Sequence, residues 1–542
     1  MKHRAVKRRS VVIGIGATAG VAAVGGIALN AQASDTSSSG SSGSSSSSDS
    51  LVFDPDAYTE LTTTVTDTDG DEHAVTYHFW KAITYVANPV DATYQSLIVS
   101  APVEIDGETV DPSNAPILLA NSIGGYMPSS VADATGVGAG GGGGMPGGTL
   151  PSGAADASAA PNANENTNAT GGATSSNQLL ALAAGYVVIE PGARGRTLKN
   201  SDGEYYGVAP AAIVDLKAAV RYIRSNKGRI PGNTDRIVSA GTSAGGALSA
   251  LLGASGDSPL YDKLLKELGA ADASDAIFAT GAWCPITDLD HADGAYEWNW
   301  GSNATGSGSK VDQTVSKALQ AQFAEYQAGL RLKGLDGTRL TARNYDEYLV
   351  KQYLEPSATR YLTALSDSDR ATYLASNTFI TWKNGKATFS WDDFLTHVGA
   401  RKKTTPAFDA FDLSAGENNL FGKGTSETRH FTAYSLKHDT AGVTGKRLDS
   451  DIPEVLRLMN PMYFLVDKPN QARTKHWWIR LGTNDSDTSH TVSANLAAAA
   501  HTLGDDVNHL YYWDEGHGAN TDPGDFITWI AKVTGHRTKA KN

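Results

Sequence analysis

The chain has 542 residues, a formal net charge of −13 and one cysteine, Cys284. The length is more than one simple core holds, and the acidic balance argues against nucleic acid and anionic membrane surfaces as partners. A single cysteine excludes an intrachain disulfide and a cysteine-based zinc site. Because Cys284 lies in the apolar run AIFATGAWCPI, it is predicted to be a buried core thiol.

The first 33 residues have the features of a secretory signal peptide. Five basic residues precede an apolar, Gly/Ala-rich stretch at 11–29, and Ala31-Gln32-Ala33 matches an A-x-A cleavage signal. Cleavage removes no acidic residue, so the secreted mature chain would begin near Ser34 with a net charge of −18. The alternative is an uncleaved anchor at the cell surface. Residues 34–50 are Ser-rich and are predicted to be a flexible linker.

Strands and helices alternate between residues 51 and 290, which predicts a mostly parallel sheet with helices on both faces. Helices are predicted at 177–184, at 212–225 and in the Ala/Leu-rich run after residue 243. Residues 130–175 are rich in Gly, Ala and Asn, and they are predicted to be a flexible insertion because they contain too few apolar side chains to order themselves. The predicted strands are VTYHFWKAITYV, YQSLIVSAPV, APILLANS, GYVVIEPG, RIVSAG and a run near 277–283.

The alternation stops at residues 291–459, where helical patterns such as SKALQAQFAEYQAGLRL dominate. It resumes in residues 460–542, with strands in HWWIRLGTND and VNHLYYWDEGHG and helices in TVSANLAAAAHTLG and DFITWIAKVTG. An insertion at the carboxyl edge of an open α/β sheet lies over the ligand crevice. Residues 291–459 are therefore predicted to form a lid domain. No later run is long and apolar enough to span a bilayer.

A nucleophile is predicted at the stretch Gly241-Thr242-Ser243-Ala244-Gly245. It has the pattern G-x-S-x-G and lies between a predicted strand and a predicted helix, where a sharp turn exposes the serine hydroxyl. The alternative interpretation is a glycine-rich turn with Ser243 as a helix N-cap. The strand, the helix and the additional Gly246 favour the nucleophile.

A serine nucleophile needs a histidine base and a carboxylate that orients it. In this fold class the chain order is Ser, acid, His. Asp485 and His517 each follow a predicted strand and lie 32 residues apart, which leaves room for one helix and one strand between them. The competing candidates are Asp487 and Asp514 for the acid, and His490, His501 and His509 for the base.

The oxyanion hole is predicted to use two backbone N–H groups. One is that of Ala244, directly after the nucleophile, and the other comes from the loop that follows APILLANS. Gly124 is the predicted donor in that loop, because glycine lets the backbone approach a substrate closely. Ile123 and Gly125 remain alternatives.

Taken together, the segments GTSAGGALS, NSIGGYM, CPITDLDHADGAYEW, GTNDSDTS and DEGHG resemble the bacterial tannases. The resemblance runs from about residue 60 to the end. It implies an α/β-hydrolase fold and a serine esterase that releases gallic acid from tannins and simple gallate esters, without a metal or organic cofactor. It also assigns Asp485, the first Asp of D-x-D-T-S, to the triad.

The same resemblance implies that Asp487 binds the galloyl hydroxyls together with a Lys and a Glu spaced 14 residues apart, here Lys403 and Glu417. Lys402 is the alternative if the alignment slips by one residue, and without the resemblance the Lys–Glu pair would be interpreted as a solvated surface. The insertion at 130–175 departs from the family pattern. Two other functions stay open: a feruloyl or other ester hydrolase of the same fold, and a non-catalytic binding module on this scaffold.

Overall fold

The computed structural model describes residues 51–139, 141–142 and 176–536. The predicted signal peptide (1–33), the linker (34–50) and most of the predicted insertion (143–175) lie outside the described residues. In chain order the strands are β1 (Thr59–Thr66), β2 (Glu72–Thr84), β3 (Ser96–Ile105), β4 (Glu108–Thr109), β5 (Ile117–Ala120), β6 (Ser129–Ser130), β7 (Gly141–Gly142), β8 (Val187–Pro191), β9 (Ile237–Thr242), β10 (Ala279–Trp283), β11 (Thr381–Lys383), β12 (Lys386–Thr388), β13 (His476–Gly482) and β14 (Asp506–Tyr512).

Helices account for most of the remaining regular structure. They are α1 (Asn177–Ala183), α2 (Ala211–Ser225), α3 (Ala244–Ala254), α4 (Asp262–Glu267), α5 (Leu289–Trp300), α6 (Gln313–Leu330), α7 (Tyr345–Leu349), α8 (Glu355–Ala364), α9 (Asp367–Ser376), α10 (Trp391–Val398), α11 (Gly416–Leu420), α12 (Ala433–Lys437), α13 (Ile452–Met459), α14 (His490–Thr502) and α15 (Pro523–Thr534). Within the described part of the chain, none of them combines the length and apolar character needed to cross a bilayer.

The main sheet has ten strands in the order β1-β2-β3-β8-β5-β9-β10-β13-β14, with β4 paired to β3. The strands from β8 to β14 pair in parallel, whereas β1, β2, β3 and β8 pair antiparallel. The parallel strands are short apolar runs, and β5, β8 and β10 are buried along their whole length because helices cover both faces. The predicted fold, a mostly parallel sheet flanked by helices, is confirmed.

Strands β5, β9, β10, β13 and β14 are neighbours in this sheet and run in the same direction. The loops that follow them therefore emerge along one edge, which is where ligands bind in open α/β sheets. Ser243, Asp485 and His517 follow β9, β13 and β14 in turn. Residues separated by up to 274 positions in the chain can thus meet at this edge.

The segment between β10 and β13 contains helices α5 to α13, in agreement with the mainly helical insertion expected at 291–459. It also contains a β-hairpin that the sequence analysis did not predict. Strands β11 and β12 flank Asn384 and Gly385, which have φ values of 54° and 71°. Asn-Gly between two short strands is a strong hairpin signal, because both turn positions require positive φ.

The predicted flexible insertion is ordered at its first residues, which corrects its expected start at residue 130. Strand β6 pairs with β7, and the backbones of Ser129 and Ala193 exchange two hydrogen bonds of 3.0 and 2.9 Å. Val131 and Ala134 are buried in the core. These apolar contacts anchor the chain up to this point, although the local composition is rich in small residues.

Candidate active site

Ser243 lies at the turn between β9 and α3 in a strained backbone conformation, with φ 60° and ψ −122°. Its N–H donates to the carbonyl of Trp283 on the neighbouring strand at 3.0 Å. Such conformations cost about 1–3 kcal/mol and persist only where the surrounding structure enforces them. The turn lifts the serine hydroxyl from the end of the sheet, as the G-x-S-x-G pattern predicts.

Glycine is required at three positions around Ser243, because a Cβ atom there would clash with neighbouring atoms. A Cβ atom on Gly241 would lie 2.4 Å from the carbonyl oxygen of Gly245, and one on Gly246 would lie 2.3 Å from that of Trp283. One on Gly245 would lie 2.5 Å from the Asn121 side chain. At these three positions the neighbouring backbone or the Asn121 side chain leaves no room for a Cβ atom, so glycine is required.

The side chains of Ser243, His517 and Asp485 form one hydrogen-bonded chain. Nε2 of His517 lies 2.9 Å from Oγ of Ser243, and Nδ1 lies 2.9 Å from Oδ2 of Asp485. An ionised Asp485 can only accept, so Nδ1 carries the proton and the Nε2 lone pair accepts from the serine hydroxyl. The arrangement has the geometry of a nucleophile, a base and an orienting acid.

Within the hydrogen-bonded side chains, Asp485 and His517 each stabilise the charged form of the other. Burial by itself raises the pKa of Asp485, but the charge and hydrogen bond of His517 outweigh it and lower that pKa. Burial likewise opposes protonation of His517, whereas the charge of Asp485 raises the pKa of His517 above its ordinary value. The site therefore stabilises an imidazolium, the species formed when a base takes the proton of a serine.

Cys284 is a buried core thiol, as predicted, and it also lies beside the hydrogen-bonded side chains of this site. It is buried, but its Sγ lies 4.0 Å from Nε2 of His517. Its backbone has φ 38°, and its N–H donates to the carbonyl of Arg480 at 2.7 Å. The sequence signal was available, because Cys284 directly follows strand β10 at the edge where the other site residues lie.

The loop after β5 is fastened to the nucleophile turn by Asn121, a residue that sequence reasoning missed. Its Nδ2 donates to the carbonyls of Ala240 and Gly245 at 3.1 and 3.2 Å. The N–H of Gly245 in turn donates to the carbonyl of Ile123 at 2.8 Å. A polar residue at the end of a buried strand was the signal for this role.

This fastening brings the predicted oxyanion donors to the same turn. Ala244 is the first residue of α3, so its N–H has no acceptor within the helix. The N–H of Ile123 donates to the Asn121 side chain at 3.4 Å, which makes Ile123 a poorer donor to substrate. Gly124 faces open space, since no described atom lies within 4 Å of a Cβ built on it.

Asp487 lies beside the hydrogen-bonded chain. Its N–H donates to Asp485 at 2.9 Å, and its carboxylate lies 3.8 Å from Nδ1 of His517. The lysine that reaches this carboxylate is Lys402, at 2.8 Å, with 36% of its side chain exposed. The ammonium of Lys403 instead lies 3.9 Å from the ring centre of Phe408. Among the predicted lysines, the structure thus pairs the alternative one with Asp487.

Glu417 lies in the first turn of α11 and is largely buried. Burial raises the pKa of Tyr126 in the loop after β5, and the charge of Glu417 raises it further. Arg196 connects the same loop and helix, donating to the carbonyl of Gly125 at 2.8 Å and to the side chain of Asn419 at 3.0 Å. Within the described residues, no hydrogen bond joins Glu417 to either lysine.

Two competing candidates have other partners. Asp514 is bound by Nε2 of His397 at 2.6 Å and by the hydroxyl of Tyr373, both from the segment between β10 and β13. His490 is buried and lies 3.1 Å from the side chain of Asn299. Burial lowers the pKa of His490 to about 4, so it stays neutral and serves the packing of α14.

Two groups of side chains in the described residues are close enough to hold a metal ion. One consists of Cys284, Asp485 and His517, and the other of Asp288, Asp290 and His291. In both groups the histidine already binds the carboxylates, at 2.9 Å in the first and at 3.2 and 3.3 Å in the second. The donor atoms are therefore engaged with one another.

Comparison with known proteins gives a partial match to one family model and matches to several solved structures over most of the chain. The chain matches the family model described as BD-FAE over residues 162–328, and no curated protein sequence matches it. The tannase of Fusobacterium nucleatum is 35% identical with a TM-score of 0.73, over 89% of this chain and 99% of that one. The native tannin acyl hydrolase of Lactobacillus plantarum is 34% identical with a TM-score of 0.73, over 90% and 100%.

A tannin acyl hydrolase in complex with ethyl gallate is also 34% identical, over 90% of this chain and 100% of that one, with a TM-score of 0.73. These similarities cover about nine-tenths of the chain. They confirm the family that the sequence motifs indicated. The chain belongs to the bacterial tannases, which are carboxylic ester hydrolases of the α/β-hydrolase fold.

Proposed function

We propose that this esterase hydrolyses the galloyl ester bonds of tannins and of simple gallate esters, with Ser243 as nucleophile, His517 as base and Asp485 as the orienting acid. The observation that carries the proposal is the hydrogen-bonded chain of these three residues with the Lys402–Asp487 pair directly beside it. The similarity to a tannin acyl hydrolase in complex with ethyl gallate supports the choice of acyl group.

In the first half-reaction Ser243 Oγ attacks the ester carbonyl carbon while His517 Nε2 takes the hydroxyl proton. Asp485 stabilises the imidazolium, and the N–H groups of Ala244 and Gly124 donate to the carbonyl oxygen as it becomes an oxyanion. When the tetrahedral intermediate collapses, the bond to the alcohol oxygen breaks and His517 transfers its proton to that oxygen. The alcohol leaves, and the acyl group stays on Ser243.

The second half-reaction repeats these steps with water. His517 takes a proton from the water molecule, the hydroxide attacks the acyl carbonyl, and the same N–H groups stabilise the oxyanion. The bond to Ser243 Oγ then breaks, and the proton returns to Oγ from His517. Gallic acid is released and the enzyme regains its starting state.

Acyl selectivity is proposed to come from Asp487, Glu417 and one lysine, either Lys403 or its alternative Lys402, which would match the three adjacent phenolic hydroxyls. Carboxylates accept from phenolic O–H groups, and an ammonium donates to phenolic oxygens. The 2.8 Å contact of Lys402 with Asp487 supports Lys402 in place of Lys403. An acyl group without these hydroxyls would leave the polar groups of the pocket unmatched, which is unfavourable.

The acyl series tests this proposal. We expect kcat/KM to fall from methyl gallate to methyl protocatechuate and to be lowest for methyl benzoate. Each lost hydrogen bond is worth about 1–3 kcal/mol, or about 5- to 150-fold. A preference for methyl ferulate would replace the tannase by a feruloyl esterase, and equal rates would leave only an esterase of open specificity.

The role of Ser243 has its own test. Ser243→Ala should abolish ester hydrolysis while circular dichroism and the melting temperature stay close to wild type, because no core side chain is lost. A fluorophosphonate probe should label the wild type at Ser243 and fail to label the variant. An unlabelled, inactive wild type would indicate a non-catalytic binding module.

We also propose that residues 1–33 direct export and are removed, and that residues 291–459 act as a lid over the site. The first proposal rests on the basic, apolar and A-x-A features of the segment. The second rests on the contacts that Lys402, His397 and Tyr373 of this segment make with the loops after β13 and β14. Mass spectrometry of the exported protein should find an N-terminus near Ser34, whereas Met1 on a membrane-bound form would indicate an anchor.

A further inference from the structure

One hydroxyl group connects the two loops that carry the Lys402–Asp487 pair. Tyr296 lies on α5, and its hydroxyl accepts a hydrogen bond from the N–H of Lys403 at 3.0 Å. The same hydroxyl donates to the carbonyl of Ser486 at 2.7 Å. Ser486 lies between Asp485 and Asp487, so the hydroxyl bridges the inserted segment to the loop of the active site.

The hydroxyl group of Tyr296 both donates and accepts a hydrogen bond. Tyr296 is completely buried, and burial raises its pKa, so the phenol keeps its proton. A protonated phenol donates one hydrogen bond and accepts another at the same oxygen, which is what the two loops require. Tyr296 is part of the segment CPITDLDHADGAYEW, whose residues have no role in the reaction steps given above.

The neighbouring residue on α5 holds the same loop by a second route. Glu297 forms a buried, two-point ion pair with Arg401, with distances of 2.9 and 2.5 Å. The guanidinium also donates to the carbonyls of Lys403 and Thr404, each at 2.8 Å. The backbone on both sides of Lys402 is thereby fixed, since Arg401 precedes it and Lys403 follows it. Arg401 also lies over the Tyr296 ring, 4.9 Å from its centre.

These contacts tie the loop of Lys402 to the loop of Asp487, while a backbone bridge between Thr305 and Arg401 also holds the loop of Lys402. Lys402 and Asp487 are 85 residues apart in the chain. Lys402 has a flexible side chain that is 36% exposed, so its own packing does not hold the ammonium in place. The position of its backbone relative to Asp487 is set by helix α5, through Tyr296 and the Glu297–Arg401 pair.

We propose that Tyr296 is a positioning residue that, together with the Glu297–Arg401 pair, holds Lys402 against Asp487 and so determines the selectivity for hydroxylated aromatic acyl groups. The inference rests on the proposed function, because it assigns the Lys402–Asp487 pair to recognition of the acyl group. It adds a residue whose hydrogen bonds within the described part of the chain go to Lys403 and Ser486 and to none of Ser243, Asp485 and His517.

Tyr296→Phe is the test, because it removes the hydroxyl and keeps the buried ring. We expect the ratio of kcat/KM for methyl gallate to that for methyl benzoate to fall on the order of 10-fold relative to wild type, since two hydrogen bonds that align the pair are lost. Methyl benzoate has no hydroxyls to be read, so its hydrolysis should fall far less than that of methyl gallate.

Tyr261→Phe is the matched control. Tyr261 is also fully buried, and its hydroxyl donates to the carbonyl of Leu458 at 2.8 Å, but it holds neither of the two loops. The two variants should lose similar thermal stability, and only Tyr296→Phe should change the ratio between the two esters. Arg401→Lys keeps the charge but lacks the guanidinium fork, and it should also lower the ratio.

Three other outcomes have different meanings. If the wild type shows no preference for methyl gallate, the proposed function is wrong and this inference is overturned with it. If the wild type shows the preference and Tyr296→Phe keeps it within twofold, the positioning role is wrong and the proposed function stands. An equal fall for both esters in Tyr296→Phe would also overturn the positioning role, because the hydroxyl would then support the reacting residues generally.

Discussion

The ammonium group of Lys402 lies 2.8 Å from the carboxylate of Asp487. Family spacing instead favours the next residue, Lys403, whose ammonium lies over the ring of Phe408. The two adjacent lysines have different partners, so a shift of one position changes which lysine faces the site. The two candidates can be separated experimentally.

We expect Lys402→Met to lower kcat/KM for methyl gallate by about 10- to 150-fold, the range for loss of a charge-assisted hydrogen bond. Lys403→Met should have a much smaller effect, because it removes only the contact with Phe408. The measurement is the kinetics of both variants with methyl gallate and methyl benzoate. The reverse ranking would restore Lys403 as the residue that reads the acyl group.

Gly246 should tolerate no side chain. The Cβ atom of an alanine at 246 would lie 2.3 Å from the carbonyl oxygen of Trp283, the same oxygen that accepts from Ser243 N–H. We expect Gly246→Ala to cost about 3 kcal/mol of unfolding free energy and to reduce the esterase rate by displacing the nucleophile turn. Urea denaturation and methyl gallate hydrolysis measure the two effects.

Gly329→Ala is the control for this substitution. Gly329 lies in helix α6, and no described atom lies within 4 Å of a Cβ placed there. Gly329 is the second-to-last residue of α6, and alanine is favoured over glycine within a helix by at most about 0.5–1 kcal/mol, so this variant should be as stable as wild type or slightly more stable. Equal stability for both variants would mean that the turn relaxes around an added methyl group.

The rate should be lost on the acid side of neutrality. In the proposed mechanism His517 must be neutral to accept the serine proton, and Asp485 raises the pKa of His517 above the ordinary value of 6.5. We therefore expect kcat/KM for methyl gallate to fall as the pH decreases through a midpoint above 6.5, because the free enzyme is then protonated at His517.

Asp485→Asn tests the cause of that midpoint. Without the negative charge the pKa of His517 should decrease, and the remaining activity should extend to lower pH. The rate itself should fall by about 10⁴-fold, since an amide cannot hold the correct tautomer of the imidazole. An acid midpoint that is the same in both proteins would assign it to a group other than His517.

The loop that carries His517 should depend on Tyr373. This tyrosine donates to the carboxylate of Asp514 and accepts from Nε1 of Trp513 at 2.7 Å. Asp514 has φ 60° and lies three residues before His517. We expect Tyr373→Phe to cost about 1–3 kcal/mol of unfolding free energy, because it leaves a carboxylate oxygen and an indole N–H without this partner.

Tyr373→Phe should also lower kcat, because the loop that carries His517 loses the hydrogen bond from Tyr373 to Asp514. The exposed Tyr58 provides the comparison, and Tyr58→Phe should change the unfolding free energy by less than about 0.5 kcal/mol. If Tyr373→Phe destabilises the protein but leaves kcat unchanged, the hydroxyl supports only the packing of α9.

Local patterns in the sequence determined the elements and their order. The apolar runs of β5, β9, β10 and β13 predicted buried parallel strands, because strands covered on both faces need apolar side chains throughout. Strand, turn and helix around Ser243 predicted a nucleophile turn, because small residues at fixed offsets are what that backbone requires. The Asn384-Gly385 hairpin was available from the same kind of signal and was overlooked.

The tertiary structure decided which side chains face one another across long stretches of chain. Asn121 fastens the loop after β5 to the nucleophile turn, Cys284 lies next to His517, and Tyr296 joins Lys403 to Ser486. No periodic pattern or turn motif in the sequence predicts these contacts, because each depends on how separate strands and helices pack. The choice between Lys402 and Lys403 is of the same kind: composition and spacing allow both, and only the packing of helix α5 against the loop brings one of them to Asp487.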